Sequence, residues 1–112
     1  MGATKNRALP GGPVRGSTSG RPIMAALDLM GRRGALRILW ELRGGEAMTF
    51  RALAAASDLP PGTLNTRLKE LREAGIVGAE AGYALTATGM ALLTALEPLI
   101  GWSEDWAKGL GA

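Results

Sequence analysis

Five polar residues occupy positions 63–69 of an amphipathic segment, and their side chains suit contacts with nucleic acid. Thr63, Asn65 and Thr66 can contact base edges, because asparagine pairs bidentately with adenine and threonine can pack its methyl group on thymine. Arg67 and Lys69 can bind phosphates, which give register without reading sequence. By residue type alone, the three uncharged residues could equally be ordinary polar residues of a helix start, and the two cations could pair with nearby glutamates.

The sequence contains no recognisable catalytic site. It has neither histidine nor cysteine, which excludes Ser-His-Asp chemistry and metal ligation by imidazole or thiolate. The phosphate-binding pattern G-x-x-x-x-G-K-[ST] does not occur. We therefore expect no enzymatic activity, no cofactor and no metal site. The absence of cysteine suits a reducing cytoplasm, and every apolar run is too short to span a membrane.

The net charge of +3 is unevenly distributed along the 112 residues. Residues 1–21 contain four basic and no acidic side chains, whereas the remainder contains nine basic and ten acidic ones, which gives +4 and −1. The first stretch is rich in Gly, Pro and Ser, and such a composition predicts a disordered tail. We expect residues 22–112 to form one globular domain.

The elements that would position the polar residues are mostly helices. Pro22 can open a helix with an apolar stripe that includes Ile23 and Leu27. In the next segment Leu36, Leu39 and Trp40 share a face, so we expect that second helix to be largely buried. The elements that follow are a short helix at about 49–57, a longer helix at about 61–74, a hairpin at about 76–85 and a final helix at about 87–110.

Capping and breaking residues support these boundaries. Thr49 and Thr86 are placed to cap helices, and Gly75 can end the helix that begins after Pro60. Pro98 should kink the final helix or divide it near residues 94–97. The fold class is therefore mainly α with a small β-hairpin. A short helix joined to a longer one by a tight turn is a helix-turn-helix, and the hairpin makes it winged.

Helical spacing separates the two faces of the helix at 61–74. Leu64, Leu68 and Leu71 lie on one face, and the polar residues lie beside or opposite them. Gly62 can allow a close approach of backbone to DNA, although a loose helix start is the simpler explanation. The candidate DNA-binding residues are Gly62, Thr63, Asn65, Thr66, Arg67 and Lys69, with Arg51 from the preceding helix.

Four segments in order resemble the winged helix-turn-helix transcriptional regulators of the HxlR type, within the MarR-like group. They are ALDLMGRRGALRILWELRGGE, MTFRALAAASDLPPGTL, LNTRLKELREAGIV and YALTATG. The resemblance implies a homodimeric regulator of double-stranded DNA that pairs through its first and last helices. It also implies that the helix at 61–74 enters the major groove. This chain departs from the family in lacking a Cys before the first helix, in having Gly62 and Thr66 where basic residues are common, and in carrying Glu80 on a short wing.

The final helix carries an apolar stripe wider than one small domain needs, which suggests burial by a partner. The alternative is that the helix is buried within its own domain. The expected dimer interface comprises Ile23, Leu27, Leu92, Leu96, Leu99, Ile100, Trp102 and Trp106.

Two alternatives to a DNA-binding regulator stay open. The acidic wing favours a protein-interaction module without DNA affinity. A small-molecule effector could bind among Met24, Met30, Trp40 and Trp102, although such residues are more often core.

Overall fold

A computed structural model describes residues 8–13 and 20–111. That part of the chain contains five helices and one antiparallel hairpin, which confirms the predicted fold class. The elements are α1 (Pro22–Met30), α2 (Ala35–Glu41), α3 (Phe50–Ser57), α4 (Pro61–Glu73), β1 (Val77–Gly78), β2 (Ala84–Leu85) and α5 (Ala87–Gly109).

Local hydrogen bonds explain where the functional helices begin and end. The Thr49 hydroxyl accepts a hydrogen bond from the backbone N–H of Ala52 at 3.0 Å, so it caps α3 as predicted. Pro61 occupies the first turn of α4, where its missing N–H costs nothing. Gly75 has φ +75° directly after α4, a conformation that favours glycine. The ends of α4 are therefore set by its own sequence.

The core lies where α2, α3 and α4 meet, and α4 contributes Leu64, Leu68 and Leu71 to it. All three leucines are at most 2% exposed, so the leucine face that the spacing predicted is buried. The other fully buried large side chains are Ile38, Leu39, Leu42 and Leu53. The polar face of α4 must consequently point away from the core.

The turn between α3 and α4 is closed by Leu59, which lies against Gly34. A Cβ added to Gly34 would come within 2.7 Å of a Leu59 methyl carbon, and the φ of Gly34 is +86°. The positive φ therefore favours glycine there, and any larger side chain would also have to displace the Leu59 side chain. The contact attaches the corner between α1 and α2 to the helix-turn-helix.

The wing is a short hairpin with Val77 opposite Leu85 and Gly78 opposite Ala84. Tyr83 extends it by an isolated bridge to Met48, in which each backbone N–H donates to the other carbonyl at 2.8 Å. The bridge to Met48 was not predicted from the sequence, because it joins residues far apart in the chain. It connects the wing to the segment that leads into α3.

The prediction that the second helix is largely buried is wrong for two of its residues. Leu36 and Trp40 are 49% and 47% exposed, because the short helix α2 buries only its opposite side through Ile38 and Leu39. For the final helix the sequence predicted either a kink or a division at Pro98, and α5 is one undivided helix of 23 residues that contains this proline. A proline removes one backbone hydrogen bond, and the carbonyl it would leave unpaired belongs to Thr94, which is exposed and can be hydrated.

Two contacts involve residues of the stretch that the sequence predicted to be a disordered tail. Ala8 is 6% exposed and packs with the hydrophobic core. The backbone N–H of Gly11 donates to the carbonyl of Gly20 at 3.0 Å. Residues 1–7 and 14–19 lie outside the described residues. No helix within residues 8–13 and 20–111 is long and apolar enough to cross a membrane.

Candidate nucleic-acid interface

The polar residues of α4 form the surface opposite its buried leucines. Asn65, Thr66 and Lys69 are exposed, and Thr63 is half-buried on the flank of the helix. Each side chain has room to approach a partner, because the three leucines beneath hold the helix to the domain. We refer to this surface, with Gly62, as the polar face of α4.

The first two turns of α4 are held to the core by Leu64, whereas Gly62 and Thr66 lie on the exposed side of these turns. The Thr66 hydroxyl donates to the carbonyl of Gly62 at 3.0 Å, which leaves its oxygen lone pairs able to accept a bond. A Cβ added to Gly62 would meet no atom within 4 Å of the described chain. The fold does not require glycine at position 62. A functional reason for this glycine would therefore have to come from a partner that contacts it from outside the domain.

Arg51 lies in the first turn of α3 and is exposed. The turn from α3 to α4 comprises residues 58–60, and Asp58 adopts a left-handed conformation with φ 56°. A tight turn of this kind makes α3 and α4 the two helices of a helix-turn-helix. Arg51 is thus on the neighbouring helix, separate from the polar face of α4.

Arg67 is bound within the protein. Its Nε donates to the carbonyl of Arg33 at 2.8 Å, and one terminal nitrogen donates to Glu70 at 2.9 Å. Its side chain is only 18% exposed. The sequence predicted the pairing with Glu70 as an alternative to phosphate binding, and the structure contains that pair. The bond to Arg33 was missed because 34 residues separate the partners.

Glu70 links Arg67 to a second arginine at the corner between α1 and α2. The guanidinium of Arg32 donates to Glu70 at 2.7 Å and to Asp28 at 2.9 Å. These four side chains, Asp28, Arg32, Arg67 and Glu70, are between 2% and 18% exposed, and we call them the ion cluster. The ion cluster connects α4 to the end of α1. The spacing of residues within one helix could not predict this connection, because Arg32 and Glu70 are 38 residues apart.

The wing adds negative charge rather than positive charge. Glu80 at its tip is exposed and is the one charged residue among positions 77–85. Glu46 is also exposed, two positions before the bridge that Met48 makes with Tyr83. Phosphates would be repelled by these carboxylates, so the wing does not add to an electrostatic attraction for DNA.

A second surface is apolar and open. Ile23 and Leu27 belong to the apolar stripe of α1 that the sequence predicted, and they are 58% and 52% exposed. Trp102 and Trp106 of α5 stack on each other with ring centroids 5.5 Å apart and are both more than half exposed. The remaining predicted interface residues divide into two exposed ones, Leu99 and Ile100, and two half-buried ones, Leu92 and Leu96.

An open groove of about 1160 Å³ runs between α5 and the pair α1 and α2. Its walls include Leu27, Trp40 and Leu96, and the guanidinium of Arg43 lies 3.9 Å from the ring centre of Trp40. Of the four residues suggested for a small-molecule site, Met30 and Trp40 line the groove, whereas Met24 and Trp102 are not among its lining residues. Among the described residues, no group of three or more acidic side chains is arranged to hold a metal ion.

Known proteins share this arrangement. A family model described as winged helix-turn-helix DNA-binding matches residues 35–77. The crystal structure of quinone-bound YodB from B. subtilis is similar, with a TM-score of 0.70 and 27% identity over 74% of this chain and 96% of that one. AF1382 from Archaeoglobus fulgidus is similar in fold, with a TM-score of 0.58 and 22% identity over 70% of this chain and 97% of that one. No curated protein matches the chain.

The matched residues begin at α2, include α3, α4 and the turn between them, and end at the first residue of the hairpin. The matched family is described as DNA-binding. The structural similarity to YodB covers a longer part of the chain, 74% of this chain and 96% of that one. The chain therefore has the winged helix-turn-helix fold, and its residues 35–77 are similar to a DNA-binding family with that fold.

Proposed function

We propose that the protein is a transcriptional regulator that binds double-stranded DNA as a homodimer and inserts α4 into the major groove. The observation that carries the proposal is the polar face of α4, which is exposed while the opposite leucines are fully buried. A recognition helix needs this combination, because its side chains must reach base edges while the helix stays rigid.

The residues of the polar face take different roles in this proposal. Asn65 and Thr66 are exposed within the first two turns, where recognition helices reach base edges, and Thr63 flanks them. Gly62 allows DNA to approach the backbone. Lys69 and Arg51 contact phosphates. Arg67 is held by Glu70 and Arg33, so we assign it no phosphate.

Dimerisation is supported by the apolar surface of α1 and α5. Exposed large hydrophobic residues on one small domain are unfavourable in water unless a partner covers them. Trp102 and Trp106 of α5, and Trp40 of the adjoining α2, are about half exposed and would bury roughly 100 Å² each, and a stable interface needs about 800 Å² from each partner. The exposed leucines and isoleucines of α1 and α5, at 51–58%, supply further area. We propose that α5 of a second copy occupies the groove between α1, α2 and α5.

The DNA proposal is tested by titrating salt against binding to random and selected duplexes. Phosphate contacts make log K fall linearly with log salt, and wild-type protein should show this fall. Asn65→Ala should reduce the preference for the selected site by about 1–3 kcal/mol while leaving affinity for random duplex nearly unchanged. Arg51→Ala is the matched comparison and should weaken binding to both duplexes equally. Equal losses for Asn65→Ala on both duplexes would remove its base-reading role.

The dimer is tested by sedimentation of Leu99→Glu together with Trp102→Glu. The double variant should have the mass of a monomer, because it places two charges in the apolar surface. Leu110→Glu is the control, since Leu110 is 70% exposed beyond the end of α5 and belongs to no proposed contact. A wild-type protein that is already monomeric would contradict the proposal and leave the groove open, which favours the small-molecule alternative.

A further inference from the structure

Two adjacent arginines, Arg32 and Arg33, lie at the corner between α1 and α2 and differ in their exposure and in their ion pairs. Arg32 is 15% exposed and is held by Asp28 and Glu70. Arg33 is exposed, and within the described part of the chain its guanidinium forms no ion pair with any carboxylate. The first arginine is part of the fold, whereas the second is exposed and its charge has no ion-pair partner among residues 8–13 and 20–111.

The backbone of Arg33 is fixed beside α4 from three directions. Its carbonyl accepts the 2.8 Å bond from Arg67 Nε. On one side of it, Arg32 is bonded to Glu70 of α4, and on the other side Gly34 lies against Leu59 of the turn. The Arg33 side chain therefore begins from a rigid point next to the helix and not from a loose loop.

That point lies on one flank of the polar face. Arg67 is four residues after Thr63, so the two side chains lie on the same flank of α4, with Thr63 one turn nearer the helix start. A long side chain from residue 33 can extend along this flank. When the first two turns of α4 lie in a major groove, the sugar-phosphate backbone that borders the groove passes beside the helix.

We propose that Arg33 contacts a phosphate of the strand that borders the groove, and that Arg67 is a positioning residue that holds Arg33 in place. The inference rests on the proposed function and deepens it. It also accounts for the weak charge of α4. The three cations and two acids between Pro61 and Glu73 give a net +1, and Arg67 is already paired with Glu70.

The first test measures the salt dependence of binding to random duplex DNA. Each lost phosphate contact lowers the slope of log K against log salt by about 1, so Arg33→Ala should lower it by about 2 in a dimer with both α4 helices bound. Arg33→Lys should retain most of the slope, because a lysine still supplies a charge. Lys108→Ala is the control, since it removes one exposed cation from the end of α5 and should leave the slope unchanged.

The second test asks whether Arg67 acts through Arg33. Arg67→Gln should weaken binding in the wild-type background and add little to the loss in an Arg33→Ala background, because the residue it positions is already gone. Thermal unfolding without DNA should show a loss for Arg67→Gln and none for Arg33→Ala. A slope that falls further by about 1 per protomer in the double variant would mean that Arg67 binds a phosphate itself, and would overturn its positioning role.

The outcomes separate this inference from the proposed function. Wild-type protein that binds duplex DNA with a steep salt dependence, together with an unchanged slope for Arg33→Ala, would refute the inference and leave the regulator standing. Wild-type protein that binds no duplex at low salt would overturn both.

Discussion

Glu70 forms two ion pairs, one of which links α4 to Arg32 at the corner between α1 and α2. Its two carboxylate oxygens accept hydrogen bonds from Arg32 at 2.7 Å and from Arg67 at 2.9 Å, at 14% side-chain exposure. Glu70→Gln preserves size but removes the charge, and it turns one acceptor oxygen into an N–H donor that faces a guanidinium. We predict that this substitution destabilises the folded protein.

The magnitude follows from the two bonds. A hydrogen bond between charged groups contributes about 1.5–3 kcal/mol, and the variant loses one while the other becomes a bond to a neutral amide. Water reaches the ion cluster at 14–18% exposure of Glu70, Arg32 and Arg67, and this hydration reduces the cost of the unpaired arginines. The expected loss in the free energy of unfolding is therefore about 2–3 kcal/mol.

Urea denaturation followed by circular dichroism measures this loss, at one fixed protein concentration because a dimer's stability depends on concentration. With a slope of about 1.5 kcal/mol per molar urea, the midpoint should fall by roughly 1.3–2 M. Glu104→Gln is the control, since Glu104 is exposed on α5 and should change stability by less than about 0.5 kcal/mol. An equal, small effect of both substitutions would show that the ion cluster does not stabilise the fold.

Glycines at the start of two helices should respond in opposite ways. Gly62→Ala should leave the free energy of unfolding unchanged or raise it by up to about 1 kcal/mol, because its Cβ meets nothing within 4 Å. If DNA approaches that backbone closely, the same variant binds duplex DNA more weakly, and unchanged affinity would remove Gly62 from the interface. Gly89→Ala should destabilise by about 2–3 kcal/mol, since its Cβ would overlap the carbonyl oxygen of Ile76 and crowd Leu85. Calorimetry of both variants decides this, and a stable Gly89→Ala protein would contradict the packing at the start of α5.

Sequence signals within one helix predicted the fold well because they act over a few residues. The hydroxyl of Thr86 accepts from the N–H of Gly89 at 3.1 Å, which is the capping interaction that a threonine before a helix predicts. The leucine spacing of α4 likewise predicted its buried face, since that spacing follows from the pitch of a helix. The bounds of α3, α4 and α5 agree with the predicted ones to within one residue at each end.

Contacts between residues far apart in the sequence could not be predicted from helix spacing and capping. The rule for residues three or four apart identified the pairing of Arg67 with Glu70, but could not identify the bonds to Arg33 and Arg32 across 34 and 38 residues. The predicted burial of Trp40 was wrong for a related reason. Which side of a short helix is buried depends on the elements that pack against it. Helical periodicity alone could not distinguish a buried apolar face from one left open on the surface.

The ion cluster changes what the near-neutral charge of α4 means for DNA binding. The pairing of Arg67 with Glu70 inside the domain helps to hold α4 in a fixed orientation. A helix that contacts base edges requires such a fixed orientation. Phosphate attraction can then come from cations on neighbouring segments, such as Arg51 on α3 and Arg33 at the corner between α1 and α2. On the proposed function, substitutions at Asn65 alter which sequence is preferred, whereas substitutions at Arg33 and Arg51 alter how strongly any duplex is held. A recognition helix with little net charge is therefore compatible with DNA binding, provided that its neighbours carry the positive charge.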